Sequence, residues 1–271
     1  MFPRNKTFPW IGLGLCLPAL LPVILLCAHL ASEVWIALSI YGFGHLRVWD
    51  WNPDASRYGL LPLISGSLAA STWAMALWFP LGLGTACWLG IFASSRLRRL
   101  VELALGMLAS VPTTVAGLLV LSWVVPFTNF GLAPAAAVLA LLNLPLFAAG
   151  AAAALRQRAV ELRQAAEALG LHGGAVGRLI VMKAWRGVLG AALAAFARSS
   201  GEALAIKLVA DNEPSNSWWL TGSVKTLGST LAMDHGGVSG EHAAMLGVIQ
   251  MAMVGLAVTL SCIVRKIESR P

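Results

Sequence analysis

Six long apolar stretches constrain the fold of this chain more than any other feature. A helix of about 20 apolar residues is long enough to cross the hydrocarbon core of a bilayer. A helix also pairs its own backbone polar groups, as a segment in lipid must. The sequence therefore predicts an all-α integral membrane protein with six transmembrane helices. The stretches lie at about residues 10–32, 68–92, 103–125, 133–154, 188–210 and 243–264.

Composition agrees with a membrane location. Of the 271 residues, 58% are hydrophobic and 11% are charged, and the mean hydropathy is +0.77. The formal charge is +7, but basic residues in so apolar a chain indicate membrane orientation rather than nucleic-acid binding. We therefore expect a single transmembrane domain over residues 1–271.

Basic residues between the stretches predict the orientation. With the N-terminus inside, 14 Lys and Arg fall on the cytoplasmic side and three on the other side. Because cytoplasmic loops carry the excess of Lys and Arg, both termini should be cytoplasmic. The basic start also resembles a signal peptide, but the first apolar run is too long for a cleaved one. An uncleaved first helix is expected, and cleavage near residues 27–32 is the alternative.

Signatures of catalysis and of cofactor binding are absent from the sequence. It has no G-x-x-x-x-G-K-[ST] loop for nucleotide phosphates, no H-E-x-x-H metal motif and no G-x-S-x-G nucleophile elbow. The chain should therefore not be a P-loop ATPase itself, and no cofactor or metal site is expected. The four cysteines lie in apolar stretches without paired spacing and are expected to be packing thiols: Cys16, Cys27, Cys87 and Cys262.

The longest cytoplasmic segment, residues 155–187, is predicted to form two short helices around a glycine hinge. Charged and apolar residues alternate in its first half with helical spacing, and Gly170 stands where a helix C-cap is expected. The segment could be a docking element for a soluble partner or an ordinary connecting loop.

Two charges, Arg198 and Glu202, interrupt the fifth apolar stretch in "ARSSGEA". Residues four apart share one side of a helix, and each charge at the bilayer centre costs roughly 2.5 to 3.5 kcal/mol. The pair should therefore face the protein interior. The guanidinium suits the oxygens of a phosphate, but an internal ion pair that fixes helix packing is the alternative. Lys207 is expected either to extend toward the outer interface or to act as a second cation there.

The 155–187 segment resembles the EAA loop of bacterial ABC-importer permeases. "QAAEALG", nine residues and "IVMK" follow the family spacing. The resemblance implies that the segment forms a coupling helix that binds the ATPase subunit. Gln164 and Lys183 depart from the family, which commonly has Glu and Pro at these positions. The residues that fall at the family's spacing are Gln164, Ala165, Ala166, Gly170 and Ile180.

Further pieces resemble the phosphate importer permeases of the PstC type. "WNPDASRYG", "PLGLG", "VELALGMLASVP", "GEALA" and "KTLGSTLAM" occur in the family order. This resemblance implies the type I ABC-importer permease fold, with a core over about 68–265 and the coupling loop over about 155–187. It places Arg198 and Glu202 on the family's R-x-x-G-E element, and so on the substrate path. The related PstA type shares this element and remains open.

The resemblance also implies a non-catalytic translocation subunit, with ATP hydrolysis on a partner ATPase, and it implies further partners and a location. It predicts a second permease subunit, an ATP-binding subunit dimer and an external phosphate-binding protein, in a bacterial inner membrane. Another oxyanion, such as molybdate, tungstate or sulfate, is the alternative substrate. A membrane enzyme acting on lipid and a structural scaffold are alternatives from other classes.

Two prolines are expected to kink their helices, Pro112 in the third stretch and Pro145, with Asn143, in the fourth. Tryptophans in the two outer loops should lie at the membrane interface. These are Trp49, Trp51, Trp218 and Trp219.

Overall fold

The structure is a computed structural model, and it describes residues 8–44, 47–170, 173–234 and 240–268. Arg4, Lys6 and Arg270, which contribute to the predicted orientation, lie outside these ranges. Within the ranges the chain forms ten α-helices and one short hairpin. The helices are α1 (Phe8–Tyr41), α2 (Leu61–Cys87), α3 (Ser95–Ala109), α4 (Thr113–Trp123), α5 (Val125–Thr128), α6 (Leu132–Ala168), α7 (Gly174–Ser200), α8 (Leu204–Val209), α9 (Leu227–Asp234) and α10 (Glu241–Glu268).

Five helices, α1, α2, α6, α7 and α10, are long and apolar enough to cross a membrane. Within the described ranges, a sixth crossing exists only if the bent pair α3 and α4 counts as one span. The fold class predicted from sequence is therefore confirmed, with the third span in two pieces.

The third apolar stretch, predicted at 103–125, is bent by 90° between Ala109 and Thr113. Pro112 precedes α4, and the residue before a proline avoids the helical conformation, so the break is sharper than the predicted kink. α3 is amphipathic, and all its residues are exposed or half-buried. Its exposed apolar side chains lie at helical spacing: Leu97, Leu100, Leu103 and Met107.

The core lies where α2, α6 and α7 pack together. Trp78 of α2 and Phe147 of α6 are almost fully buried, with their ring centroids 4.7 Å apart. Phe147 lies so close to Gly82 that a Cβ there would come within 2.5 Å of its ring. Pro145 does not end α6, which stays continuous to Ala168.

α1 and α10 form an antiparallel pair. Glu33 of α1 packs against Gly247 of α10, and the hydroxyl of Tyr41 donates a hydrogen bond to Glu241. The N-terminal end of α1 and the C-terminal end of α10 therefore lie at the same end of the bundle. α1 also continues beyond the predicted end at residue 32, to Tyr41.

A hairpin of β1 (Trp51–Asn52) and β2 (Arg57–Tyr58) covers this antiparallel pair. Trp51 is buried beside Tyr58 and His242, so the prediction that it lies at the membrane interface is wrong. Burial raises the pKa of Tyr58, and the nearby carboxylates of Glu241 and Asp54 raise it further. The other three tryptophans of the prediction are exposed: Trp49, Trp218 and Trp219.

The 155–187 segment consists of the ends of two long helices rather than two short ones. α6 runs on to Ala168 and α7 begins at Gly174, so only five residues separate them. Gly170 has φ +76°, the left-handed conformation expected of a glycine that ends a helix. The predicted C-cap role of Gly170 is therefore confirmed, whereas the predicted helix lengths are wrong.

Candidate functional site

The fifth apolar stretch is broken at the point where its charges lie. α7 ends at Ser200, and α8 begins only at Leu204. The prediction of one continuous helix over 188–210 is wrong, and the spacing of four residues does not place Arg198 and Glu202 on a common helix face. Among the described residues, the two side chains do not form an ion pair. The interior ion pair considered from the sequence is therefore not what the structure has.

Arg198 lies in the last turn of α7 and is exposed. Its side chain makes neither a hydrogen bond nor an ion pair with the residues that the structure describes. A cation at this position is favoured by the negative end of the helix dipole. The guanidinium therefore presents five donors toward the surface of this chain.

Glu202 lies in the gap between α7 and α8 and is half-buried. Its Oε1 accepts a hydrogen bond from the backbone N–H of Ala205 at 3.4 Å, within the first turn of α8. Its backbone carbonyl packs against Gly228 of α9, where a Cβ would come within 2.4 Å of the oxygen. Glu202 is thus held by two short helices rather than by Arg198.

Buried polar side chains hold the end of α7 in place. Nδ2 of Asn143 donates to Oγ of Ser199 at 2.9 Å and to the carbonyl of Leu139 at 2.8 Å. The hydroxyls of Ser200 and Ser71 are 3.2 Å apart. Both serines of α7 therefore pack its end against α6 and α2, and the sequence analysis missed the contacts with Asn143 and Ser71. Sequence spacing gives no signal for such contacts between distant helices.

α9 packs against the backbone of Glu202 at one side of the site. The sequence analysis missed this helix. Thr226 and Ser229 cap its start reciprocally, each side chain accepting from the other's backbone N–H at 3.0 Å. The signal was the T-x-x-S spacing, a form of the capping box. At the other end of α9, the ammonium of Lys207 donates to the carbonyl of Ala232 at 2.8 Å. Lys207 therefore links α8 to α9.

The residues predicted to couple to an ATPase fall into two groups. Gln164, Ala165 and Gly170 are exposed at the turn between α6 and α7. Ala166 and Ile180 are 2% and 1% exposed and belong to the hydrophobic core. Only the residues of the first group are exposed on this chain and could contact a partner subunit. The coupling role of both groups stays a prediction.

Comparison with solved structures identifies the fold. The chain is similar to the methionine ABC transporter MetNI in inward-facing conformations, with a TM-score of 0.60 and 21% identity. The match covers 77% of this chain and 95% of the other. A second crystal form of the same transporter has a TM-score of 0.54.

Curated relatives agree with the fold. The chain is 27% identical to the phosphate transport system permease protein PstC of Mesorhizobium japonicum, over 79% of this chain and 75% of the relative. It is 28% identical to the probable ABC transporter permease protein YqgH of Bacillus subtilis, over 82% and 76%. The chain is therefore similar to ABC-transporter permease subunits in sequence and in fold. No protein-family model matches it.

The predicted resemblance of the permease to the PstC type is therefore confirmed. A PstA-type relative, PstA 1 of Mycobacterium tuberculosis, is also similar to it, with 30% identity over 68% of the permease and 62% of the relative. Because the relatives are permease subunits, the permease is a translocation component rather than a catalyst. Its long apolar helices make it a multi-pass protein of the inner membrane, and its class implies ATPase and second-permease partners.

Proposed function

We propose that this permease forms half of the translocation path of an ATP-driven importer of inorganic phosphate. The observation that carries the proposal is the break at residues 201–203, which leaves the guanidinium of Arg198 exposed and without a described partner. A planar guanidinium binds two phosphate oxygens at once. The relatives named as phosphate permeases support this choice of anion.

Glu202 gives a reason to favour phosphate over other oxyanions. Phosphate near neutral pH still carries a proton and can donate a hydrogen bond to a carboxylate. Sulfate and molybdate are fully deprotonated there, and a carboxylate repels them. Along one path, a guanidinium binds the anion, and a carboxylate that is held by α8 and α9 accepts a hydrogen bond only from a protonated anion. Arg198 and Glu202 are the residues that we place on the path.

The importer needs partners that supply capture and hydrolysis. The second permease would close the exposed side of the path near Arg198, and two ATP-binding subunits would bind the turn between α6 and α7. An external phosphate-binding protein would deliver the anion to the outer loops. We assign the coupling contacts to Gln164, Ala165 and Gly170, with Ala166 and Ile180 supporting the turn from the core.

Reconstitution tests the proposed function directly. The permease would be co-purified with a second permease and an ATPase, placed in vesicles and supplied with a phosphate-binding protein. We expect ATP-dependent uptake of labelled phosphate that excess sulfate or molybdate does not inhibit. Uptake of molybdate or sulfate in place of phosphate would assign the permease to another anion.

The orientation of the termini gives a separate prediction. The N-terminal end of α1 and the C-terminal end of α10 lie at the same side of the bundle, and the charge pattern predicts that this side is cytoplasmic. A reporter that is active only in the cytoplasm should therefore be active when fused after Pro271. The same reporter inserted between Asn212 and Trp218, in the loop after α8, should be inactive. Activity in the reverse pattern would overturn the orientation.

Gly170 gives a prediction about coupling. A β-branched residue is strained at its φ of +76°, so Gly170→Val should distort the turn while leaving α6 and α7 inserted. We expect phosphate uptake per ATP hydrolysed to fall roughly tenfold or more if the turn transmits the motion. Gly106→Ala, at an open position of α3, is the control. An unchanged ratio in Gly170→Val would show that the turn is only a connection.

A further inference from the structure

A cleft of about 910 Å³ lies between α6 and α7, with Val264 of α10 at its edge. Small residues let the two helices approach closely along it. A Cβ on Gly187 would come within 2.6 Å of the Cβ of Ala154, and one on Gly150 within 3.1 Å of the Cβ of Ala191. Where the two helices meet, the wall of the cleft therefore consists of small residues.

The rim of the cleft is cationic. Arg158, Lys183 and Arg186 line it together with Gln157, and Glu161 is the one acid among the described lining residues. Glu161 binds Arg158 at 2.7 Å, so its charge is already matched. Arg186 lies over the ring of its neighbour Trp185, with 5.6 Å between the guanidinium carbon and the ring centroid. The cleft thus keeps an excess of positive charge.

Lys183 is the most available of these cations. It is exposed, and in the described part of the chain its ammonium has neither a hydrogen-bond acceptor nor a carboxylate partner. Lys183 stands at the position where the EAA-loop family commonly has proline, so the sequence motif gives it no role. The structure places it inside a concave, positively charged surface instead.

The cleft and Arg198 share one face of α7. At 100° per residue, Lys183, Gly187, Gly190, Ala194 and Arg198 lie within about 80° of one another. Lys183 and Arg198 are separated by about 22 Å along the helix axis, at 1.5 Å per residue. One face of α7 therefore carries a cation at each end and small residues between them.

We propose that this cleft is a second oxyanion site, in which Lys183 binds the phosphate group after it leaves Arg198 and before it enters the cytoplasm. The proposal rests on the proposed function and adds an exit site to it. An ammonium is a point charge without the two-pronged geometry of a guanidinium, so it attracts the anion and releases it readily. Conduction needs such successive sites, each weak enough for the ion to leave.

Two variants of Lys183 test the proposal in the reconstituted importer. Lys183→Gln should lower the phosphate uptake rate roughly fivefold to tenfold, the effect of losing one charge-assisted contact. Lys183→Arg should keep most of the rate. Arg178→Gln is the matched control, because Arg178 is exposed on the same helix but lies about 140° from Lys183. Wild-type rates in Lys183→Gln would overturn the exit site.

The outcome separates this inference from the proposed function. If the wild-type importer does not carry phosphate, the proposed function itself fails. If the wild type carries phosphate and Lys183→Gln does so equally well, only the exit site fails. If Lys183→Gln reduces assembly with the ATPase in the same proportion as uptake, Lys183 is a subunit contact and the exit site is overturned.

A labelling experiment measures the cleft without transport and tells a free anion from a lipid headgroup. Ala153→Cys places a thiol on the cleft wall in a background without the native cysteines. A negatively charged thiol reagent should react faster than a positively charged one, and Lys183→Gln should remove most of that preference. Inorganic phosphate should protect the thiol in neutral-lipid vesicles. Protection that needs anionic phospholipid and not phosphate would show a lipid site and overturn the proposal.

Discussion

Arg198→Lys is expected to reduce phosphate uptake roughly tenfold to one hundredfold while the amount of folded permease stays the same. Lysine keeps the charge but loses the planar pair of donors, and a charge-assisted hydrogen bond contributes about 1.5 to 3 kcal/mol. Because the structure gives Arg198 no described partner, its replacement leaves no buried carboxylate unpaired. Initial uptake rates in reconstituted vesicles, divided by permease abundance, measure the effect. Arg178→Lys on the same helix is the control and should behave as the wild type.

The double variant Arg198→Met with Glu202→Leu separates transport from packing. If the two residues serve the anion path, the double variant should insert and assemble but import no phosphate through this system. If they only stabilise the fold, the double variant should match the wild type in both abundance and uptake. Wild-type uptake in the double variant would therefore remove both residues from the path.

Gly228→Ala is expected to disrupt the site without touching either charge. The new Cβ would lie 2.4 Å from the carbonyl oxygen of Glu202 and 3.1 Å from the Cα of Ala203. Both contacts are with backbone atoms, so no side-chain rotation relieves the clash. Overpacking of this kind costs about 1 to 3 kcal/mol of folding free energy. We expect a lower Tm in detergent and loss of most uptake, because α9 moves away from Glu202.

The control for Gly228→Ala is Gly84→Ala, in the helical part of α2. A Cβ at Gly84 meets no atom within 4 Å in the part of the chain that the structure describes. Alanine costs less conformational entropy than glycine in a helix, so this variant should be as stable as the wild type or slightly more stable. Equal losses of Tm in the two variants would show that the contact between Gly228 and Glu202 is not what matters.

Much of the fold could be predicted from hydropathy and charge because lipid imposes a simple rule on each span. Five long helices and the turn at Gly170 follow from apolar length and from the preference of glycine for positive φ. The break after Ser200 could not be predicted in the same way. The three residues of the break are Gly201, Glu202 and Ala203, of which one is charged, and hydropathy averages over such an interruption. The four-residue spacing then suggested a common helix face that does not exist.

The partners of the candidate site depend on contacts between helices that are far apart in the sequence. Asn143 and Ser199 are 56 residues apart, and Ser71 and Ser200 are 129 residues apart. No periodicity in the sequence encodes these pairs. α9 is short and contains a glycine, so helix propensity gives little warning of it, and its capping residues were the one usable signal.

The unbroken length of α6 gives the molecule a mechanical lever. From Pro145 to Ala168 the helix extends about 35 Å at 1.5 Å per residue, and Pro145 lacks the N–H that would bond the preceding turn. Bending by about 5° at Pro145 therefore displaces the far end by about 3 Å. Asn143, which holds Ser199, lies directly beside this pivot. A force that an ATPase applies to the turn would therefore rotate α6 by a small angle at Pro145, next to the candidate site.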